Sequence, residues 1–157
     1  MVSVKWCLKQ KNGIEFVEPN SNMSHSYMKM AEESISALQD VESSRIWTAT
    51  MAYYVFYYSL YSLMLRIGIK CEIHSCSLAF MKEHLKLFYD KEDCDMIEKA
   101  FSARIDLQYY SNRPVDSKAI DEIKRYSSSF FVKTKDALAR ISEDNIKNIR
   151  EALKKEL

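Results

Sequence analysis

Twenty consecutive residues, Ile46 to Leu65, carry no charged side chain, and this run constrains the fold more than any other feature of the sequence. About 20 apolar residues suffice to cross a bilayer. This run, however, also contains serines, threonines and five tyrosines, whose hydroxyl groups would lack partners in hydrocarbon. The run therefore predicts a helix buried inside a protein or between two protein surfaces. Its tyrosines are Tyr53, Tyr54, Tyr57, Tyr58 and Tyr61.

The rest of the composition favours helices. The 157 residues include only two glycines and two prolines, which is too few for the many turns of an all-β fold. A chain of this length is expected to form one domain with a single core. We therefore predict an all-α fold, an up-and-down bundle of five or six helices. Residues 1–20 are expected to be an N-terminal preface packed on the bundle, and residues 21–157 the helical domain.

Apolar residues at helical spacing and capping residues define the predicted helices. The second of them is expected to end at Gly68, because glycine readily adopts the left-handed conformation that terminates helices. The fourth is expected to stop before Pro114, since the residue before a proline avoids the helical region. The predicted helices span about 22–41, about 44–67, a segment beginning near Ser75, about 93–111, a segment beginning at Asp116 or Ser117, and a segment after Ser142.

Two segments are less well determined by their pattern. In the preface, Asn12 and Gly13 either end a short helix or turn the chain between two short strands. The last helix has few apolar residues, namely Ile146, Ile149 and Leu153, so we expect it to lie on the surface or on a partner.

Charge and cysteine usage narrow the possible functions. Lys and Arg number 23 against 22 Asp and Glu, so the chain lacks the positive field of a general nucleic-acid binder, and any RNA contact must be local. No signal peptide or membrane segment is expected, and we predict a cytoplasmic protein with reduced thiols. Cys71, His74 and Cys76 lack the spacing of a zinc site and have no second pair. We predict neither a metal nor a cofactor.

The order of these segments resembles the prokaryotic HEPN domain family over about residues 20–140. The tyrosine-rich helix is followed by Gly68, Ile69 and Lys70, as in most members of that family. His74 lies near the start of the third helix, and the first helix carries Ala-Glu-Glu at 31–33. The succession of these pieces, more than any one of them, carries the resemblance.

The resemblance implies a helical bundle that dimerises around a cleft between two protomers. Many HEPN members are metal-independent ribonucleases and act as toxins of toxin–antitoxin pairs, often encoded beside a minimal nucleotidyltransferase. Their active site combines an Arg with a His a few residues later on the fourth helix, one such pair from each protomer. Arg104 matches that Arg. A second copy of the chain, a nucleotidyltransferase, and RNA or a nucleotide are the implied partners.

This chain departs from the ribonuclease pattern after Arg104, where Tyr109 occupies the expected position of the His. Cleavage of RNA without a metal needs a base for the 2′-hydroxyl and a cation for the phosphorane. Arginine supplies the cation, but a phenol with a pKa of about 10 is a weak base at neutral pH. We therefore predict a non-catalytic, dimeric module that acts in protein interaction or binds a nucleotide or RNA, paired with a minimal nucleotidyltransferase in a toxin–antitoxin system. The alternative is a metal-independent ribonuclease toxin whose atypical site uses Arg104 and Tyr109.

Each candidate residue also has an ordinary structural interpretation. Arg104 could instead pair with Glu32 or Glu33 at the edge of the core, and the tyrosines could simply pack. Since some nucleotidyltransferase partners in this family modify a tyrosine close to the Arg, Tyr109 or Tyr110 could be such an acceptor. The predicted ligand-binding residues are Arg104, Tyr109, Tyr110, Tyr57 and Tyr61, whose rings can stack on bases.

Overall fold

The computed structural model describes residues 2–157, and its predominantly helical architecture confirms the all-α prediction. The observed ends of the long helices lie within one or two residues of the predicted ones. In chain order the elements are α1 Val4–Cys7, β1 Glu15–Phe16, α2 Ser21–Asp40, α3 Arg45–Ile67, β2 Ile69–Lys70, α4 His74–His84, α5 Lys91–Tyr109, α6 Ser117–Arg140 and α7 Glu143–Lys154.

Helix starts in the described chain follow the capping residues, with one exception. Six helices begin after a Ser, Asn or Asp whose side chain accepts a hydrogen bond from a backbone N–H of the first turn. Helix α4 begins after Ile73, which offers no side-chain acceptor. The first turn of α4 is therefore held by contacts other than a cap. The capping residues of the other helices are Ser3, Asn20, Ser44, Asp90, Asp116 and Ser142.

Helix α3, the uncharged run, is the centre of the bundle and packs against α2, α5 and α6. Val55, Leu63 and Met64 are fully buried, as predicted. Its buried hydroxyls have partners: Ser62 donates to the Ser24 carbonyl at 2.7 Å, and Ser59 donates to a carbonyl within the helix. Among residues 2–157, no helix combines the length and the apolarity that a membrane span requires.

The last helix lies at the surface of the bundle, which is one of the two positions predicted for it. Helix α7 packs against α3 and α4 and buries Ile146 and Leu153 in the core. Ile149 packs partly buried beside them, so three apolar side chains dock this 12-residue helix while most of its other residues are polar.

Neither structure considered for the preface is correct as stated. The N-terminal helix ends at Cys7, well before Gly13, and Asn12 adopts the left-handed conformation with a φ of 61°. Strand β1 then pairs antiparallel with β2, which follows α3 in the sequence, so that Phe16 lies opposite Ile69. The Asn-Gly turn thus directs the chain to a distant strand, whereas a hairpin would have paired it with its neighbour.

A disulfide joins Cys7 at the end of α1 to Cys76 in the first turn of α4. The prediction of four reduced thiols is wrong for this pair, because it rested on the compartment and the two cysteines are 69 residues apart in sequence. Cys71 and Cys94 are free and buried. Burial raises the pKa of the Cys94 thiol to about 11.

The end of α3 is held by a residue from the last helix. Gly68 terminates α3 with a φ of 84°. The guanidinium of Arg150 donates to the carbonyls of Gly68, Ile67 and Val17 at 2.7, 3.1 and 2.9 Å, and lies 5.3 Å from the ring of Phe16. Arg150 thus satisfies the carbonyls that the end of a helix leaves without partners.

A buried carboxylate joins α5 to α6. Asp93 is fully buried, and its side chain accepts hydrogen bonds from the Asp90 backbone N–H, the Tyr126 hydroxyl and the Lys133 ammonium at 2.8, 2.9 and 2.6 Å. The cost of burying this charge is offset by these donors.

Candidate functional site

Arg104 on α5 lies among tyrosines of α3 and is half-buried. Its guanidinium carbon is 5.2 Å from the centre of the Tyr53 ring and 5.3 Å from that of Tyr54, which are cation–π distances. Within the described residues 2–157 it forms no ion pair with a carboxylate, and its Nε is buried without a hydrogen-bond partner. The positive charge of Arg104 is therefore not neutralised by a carboxylate of residues 2–157.

The interpretation of Arg104 as half of an ion pair with the first helix is wrong. Glu32 and Glu33 are both exposed on α2, and neither pairs with Arg104. Aromatic rings of α3 stand where a carboxylate had been expected.

His74, the first residue of α4, completes the group around Arg104. Its Nδ1 is 2.7 Å from the Tyr53 hydroxyl, and its ring stacks on Tyr57 with the ring centres 4.0 Å apart. Burial, and then the positive charge of Arg104, lower the pKa of His74 to about 4. Burial also raises the pKa of Tyr53 well above its usual value. At neutral pH the imidazole and the phenol are therefore both uncharged, and the guanidinium carries the only charge of this cluster.

We call Arg104, His74, Tyr53 and Tyr54 the arginine–tyrosine cluster. A histidine with a pKa of about 4 is uncharged at pH 7, so it lacks the acidic imidazolium proton and accepts a proton weakly. An uncompensated guanidinium, by contrast, attracts anions and matches the oxygens of a phosphate. The chemistry of the cluster favours binding of an anion over proton transfer.

Sequence reasoning missed the role of His74 because the residue precedes Arg104 by 30 positions. The ribonuclease pattern predicts the histidine on the same helix as the arginine, a few residues after Arg104. The signal that could have found His74 was the resemblance itself, which places a histidine near the start of the third long helix.

Tyr109 and Tyr110 lie at the C-terminal end of α5, where both are exposed. The Tyr109 side chain is 68% exposed, and the Tyr110 ring lies 3.8 Å from the guanidinium of Arg113, which pairs with Asp106. Tyr110 also lines an open cleft of about 520 Å³ beside the start of α3. The cation–π contacts of Arg104 in residues 2–157 are with Tyr53 and Tyr54, whereas Tyr110 contacts Arg113 at this end of α5.

Tyr57 and Tyr61 are buried, and their rings stack on each other with the centres 5.8 Å apart. The tyrosines that reach the surface of α3 are Tyr54 and Tyr58, which stack at 5.1 Å. The two open grooves beside them, about 490 and 530 Å³ in volume, share Met30 and Tyr58. We call the surface formed by Met30, Met51, Tyr54 and Tyr58 the tyrosine face. Tyr54 belongs both to this face and to the arginine–tyrosine cluster.

A possible set of metal ligands occurs away from Arg104. Glu83, His84 and Glu156 bring their ligand atoms within 4.8 Å of one another. His84 already pairs with Glu156, since its Nε2 lies 2.6 Å from a carboxylate oxygen. This contact is sufficient to explain the grouping as a hydrogen bond that ties the end of α4 to the residues after α7.

No protein-family model matches the chain, and no curated protein is significantly similar to it. The chemistry of the arginine–tyrosine cluster is therefore the basis for inferring function.

The depressed pKa of His74 provides a direct test of this cluster. We expect Arg104→Ala to raise the pKa of His74 from about 4 towards 6.5, because the variant removes the positive charge that opposes protonation. The pKa should stay below 6.5, since burial is the larger cause of the shift. Titration of the imidazole protons by NMR measures the change, and exposed His25 is the internal control. An unchanged His74 pKa would show that Arg104 does not act on this ring.

The lowered pKa of His74 also predicts that the folded state becomes less stable as the pH falls. Because the folded pKa of His74 lies below the unfolded value, the unfolded chain binds more protons between about pH 4 and 6.5. The contribution of His74 is fully present above pH 6.5 and is lost as the pH falls through 4. Its size is reduced by solvent, because the ring is only half-buried.

Proposed function

We propose that this chain is a non-catalytic, HEPN-type module that works as a homodimer and binds a nucleotide or single-stranded RNA at the arginine–tyrosine cluster. One observation carries the proposal: the guanidinium of Arg104 lies against two tyrosine rings without a carboxylate partner in residues 2–157. A phosphate supplies the counter-ion that the chain does not.

The residues around Arg104 suit the two parts of a nucleotide. A phosphate oxygen can accept hydrogen bonds from the guanidinium, and such charged bonds contribute about 1.5–3 kcal/mol each. Tyr54 is half-exposed and presents a ring on which a base can stack, for about 1–3 kcal/mol. Sequence readout is not expected from these contacts, because every base offers a ring face and every nucleotide a phosphate.

A nucleotidyltransferase is the proposed protein partner, and the end of α5 is where we propose that it acts. Transfer of a nucleotidyl group to a tyrosine needs a hydroxyl that an enzyme can reach. The exposed hydroxyls of Tyr109 and Tyr110 meet this requirement, whereas Tyr53 and Tyr57 are buried. Tyr109, the more exposed of the two, is the preferred acceptor.

We propose the tyrosine face as the dimer interface. A second copy of the chain is the occupant that the HEPN resemblance implies. Half-exposed aromatic and methionine side chains are typical of protein interfaces, because they bury a large area with little charge. Tyr54 would then bring the interface next to the arginine–tyrosine cluster, which agrees with a ligand cleft between protomers.

The dimer is tested by introducing a charge into the tyrosine face. Met51→Glu is expected to convert the dimer to a monomer, since an unpaired carboxylate at an apolar interface is costly to desolvate. Sedimentation velocity measures the change. Val132→Glu, at an exposed apolar position on α6, is the matched control and should leave the dimer intact. A monomeric parent protein, or equal effects of the two variants, would contradict this assignment of the interface.

Binding is tested with a fluorescently labelled single-stranded oligoribonucleotide by fluorescence anisotropy. Arg104→Ala is expected to weaken binding about tenfold or more, which corresponds to the loss of one charged hydrogen bond. Arg125→Ala removes the same charge from an exposed position on α6 and should change the affinity little. Equal losses in the two variants would indicate a diffuse charge effect and would contradict the proposed site.

The alternative, a metal-independent ribonuclease, is favoured by one observation. His74 brings an imidazole next to Tyr53 and Arg104, a group that the segment after Arg104 lacks. With a pKa of about 4, however, this imidazole is poorly matched to acid–base work at neutral pH. Cleavage of RNA by the parent protein in the presence of a chelator, lost in both Arg104→Ala and His74→Ala, would decide for the ribonuclease.

A further inference from the structure

We propose that the Cys7–Cys76 disulfide is a site of reversible thiol–disulfide exchange that controls the start of α4 and, through it, the arginine–tyrosine cluster. The co-reactant is a dithiol, either a small molecule or a dithiol protein. The effect on ligand binding rests on the proposed function, whereas the effect on α4 does not.

The start of α4 depends on the disulfide because it lacks a cap. It is the one helix start in the described chain without a side-chain acceptor for its free N–H groups. Cys76 is the third residue of this helix, so the disulfide fixes the first turn to α1 covalently. A helix end without a cap frays readily unless tertiary contacts hold it.

A hydrogen bond also joins the preface to the residues preceding α4. The Glu72 N–H donates to the Asn12 carbonyl at 2.9 Å, five residues after Cys7 in the same N-terminal segment. Opening the disulfide removes the covalent tie and leaves this hydrogen bond, the pairing of β1 with β2 and the core packing of Val4 and Ile14 to hold residues 2–16. We therefore expect the preface and the first turn of α4 to loosen together.

The disulfide is close to the cluster along the helix. His74 precedes Cys76 by two residues and opens the same turn. Its hydrogen bond to Tyr53 and its stacking on Tyr57 both depend on the position of that turn. A shift of the turn moves the imidazole relative to Tyr53, whose ring also lies against Arg104.

The dithiol supplies the two electrons and two protons that reduction of the disulfide requires. A thiolate of the dithiol attacks one sulfur of the pair and forms a mixed disulfide, releasing one cysteine as a thiolate that takes up a proton. The second thiol of the reductant then displaces the other cysteine, so that the protein gains two electrons and two protons and the dithiol becomes a disulfide. Cys7 and Cys76 are fully buried, so residues 2–13 must move away before the reductant reaches them.

The test compares oxidised and reduced protein in a Cys71→Ala, Cys94→Ala background, so that only Cys7 and Cys76 react. Amide hydrogen exchange, read by NMR, reports on the first turn of α4, and NMR titration of His74 reports on the cluster. On reduction we expect exchange of the α4 first-turn amides to accelerate about tenfold or more while α6 is unaffected. The pKa of His74 should rise towards its ordinary value, and the affinity for the labelled oligoribonucleotide should fall about tenfold. Cys7→Ala with Cys76→Ala should reproduce the reduced state without a reductant.

The outcomes separate this inference from the proposed function. Faster α4 exchange and a raised His74 pKa, with no RNA bound in either state, would support the disulfide's control of α4 and reject RNA binding. RNA bound with equal affinity in both states would overturn control of the site. Unchanged exchange at α4, or a uniform increase over all helices in both the reduced protein and the alanine variant, would overturn the inference, because the disulfide would then be an ordinary structural link.

Discussion

Replacing Arg150 with methionine is expected to lower the free energy of unfolding by about 4 kcal/mol, one of the two largest effects that we anticipate from a single substitution. The carbonyls of Val17, Ile67 and Gly68 all lose their charged donor, and the methionine still covers the ring of Phe16 with its stem. Loss of this donor carries a cost at the Val17 and Ile67 carbonyls, whereas the Gly68 carbonyl keeps the Val17 N–H as a donor at 3.0 Å. Urea denaturation followed by circular dichroism measures the change.

Arg140→Met is the control for this experiment. Arg140 pairs with Asp136 one turn earlier on α6, and both side chains are about 60% exposed. Such surface pairs contribute about 0.5 kcal/mol or less. A similar loss in both variants would mean that the carbonyl contacts of Arg150 do not hold α3, the preface and α7 together.

Replacing Asp93 with asparagine is expected to cost about 3 kcal/mol of folding stability, the other large effect. The substitution preserves the shape of the side chain but removes the charge that the Lys133 ammonium and the Tyr126 hydroxyl bind. It also leaves an amide in a fully buried site that was built for three donors. The loss should appear as a lower midpoint of thermal and urea unfolding.

Asp95→Asn is the matched control for Asp93, because it makes the same chemical change two positions later on α5. Asp95 pairs with Lys91 at the surface, where the lysine side chain is 88% exposed. Its substitution should change stability by about 0.5 kcal/mol or less. If the two asparagine variants were equally stable, burial of the Asp93 charge would not be a source of specificity between α5 and α6.

The helices could be located from the sequence because their ends are decided locally. Ser44, Asp116 and Ser142 cap their own helices, and Gly68 ends α3 through its own backbone conformation. The burial of α3 also followed from its lack of charge. These properties depend on neighbours within one turn, which a single sequence contains.

The features that escaped prediction are all contacts between distant residues. The disulfide of Cys7, the group formed by His74 with Arg104, and the bonds of Arg150 each join elements that lie far apart in sequence. The spacing and composition of a single sequence do not show which distant residues come close together in the folded chain. Helical periodicity also could not tell which tyrosines of α3 face outward, because the helix is apolar on every side. Tyr57 and Tyr61, predicted to bind ligand, are largely buried but line the groove of about 490 Å³ beside α3.

The reach of Arg150 has a consequence for biosynthesis. Arg150 and Val17 are 133 residues apart, and 82 residues separate Gly68 from Arg150. A ribosome adds about 5–20 residues per second. The final turn of α3 is therefore synthesised several seconds before Arg150, whose guanidinium binds its carbonyls. During that interval the nascent chain must keep those carbonyls hydrated. We therefore expect the junction of the N-terminal strand with α3 to be the last part of the molecule to fold. It should also be the part most susceptible to proteases during translation.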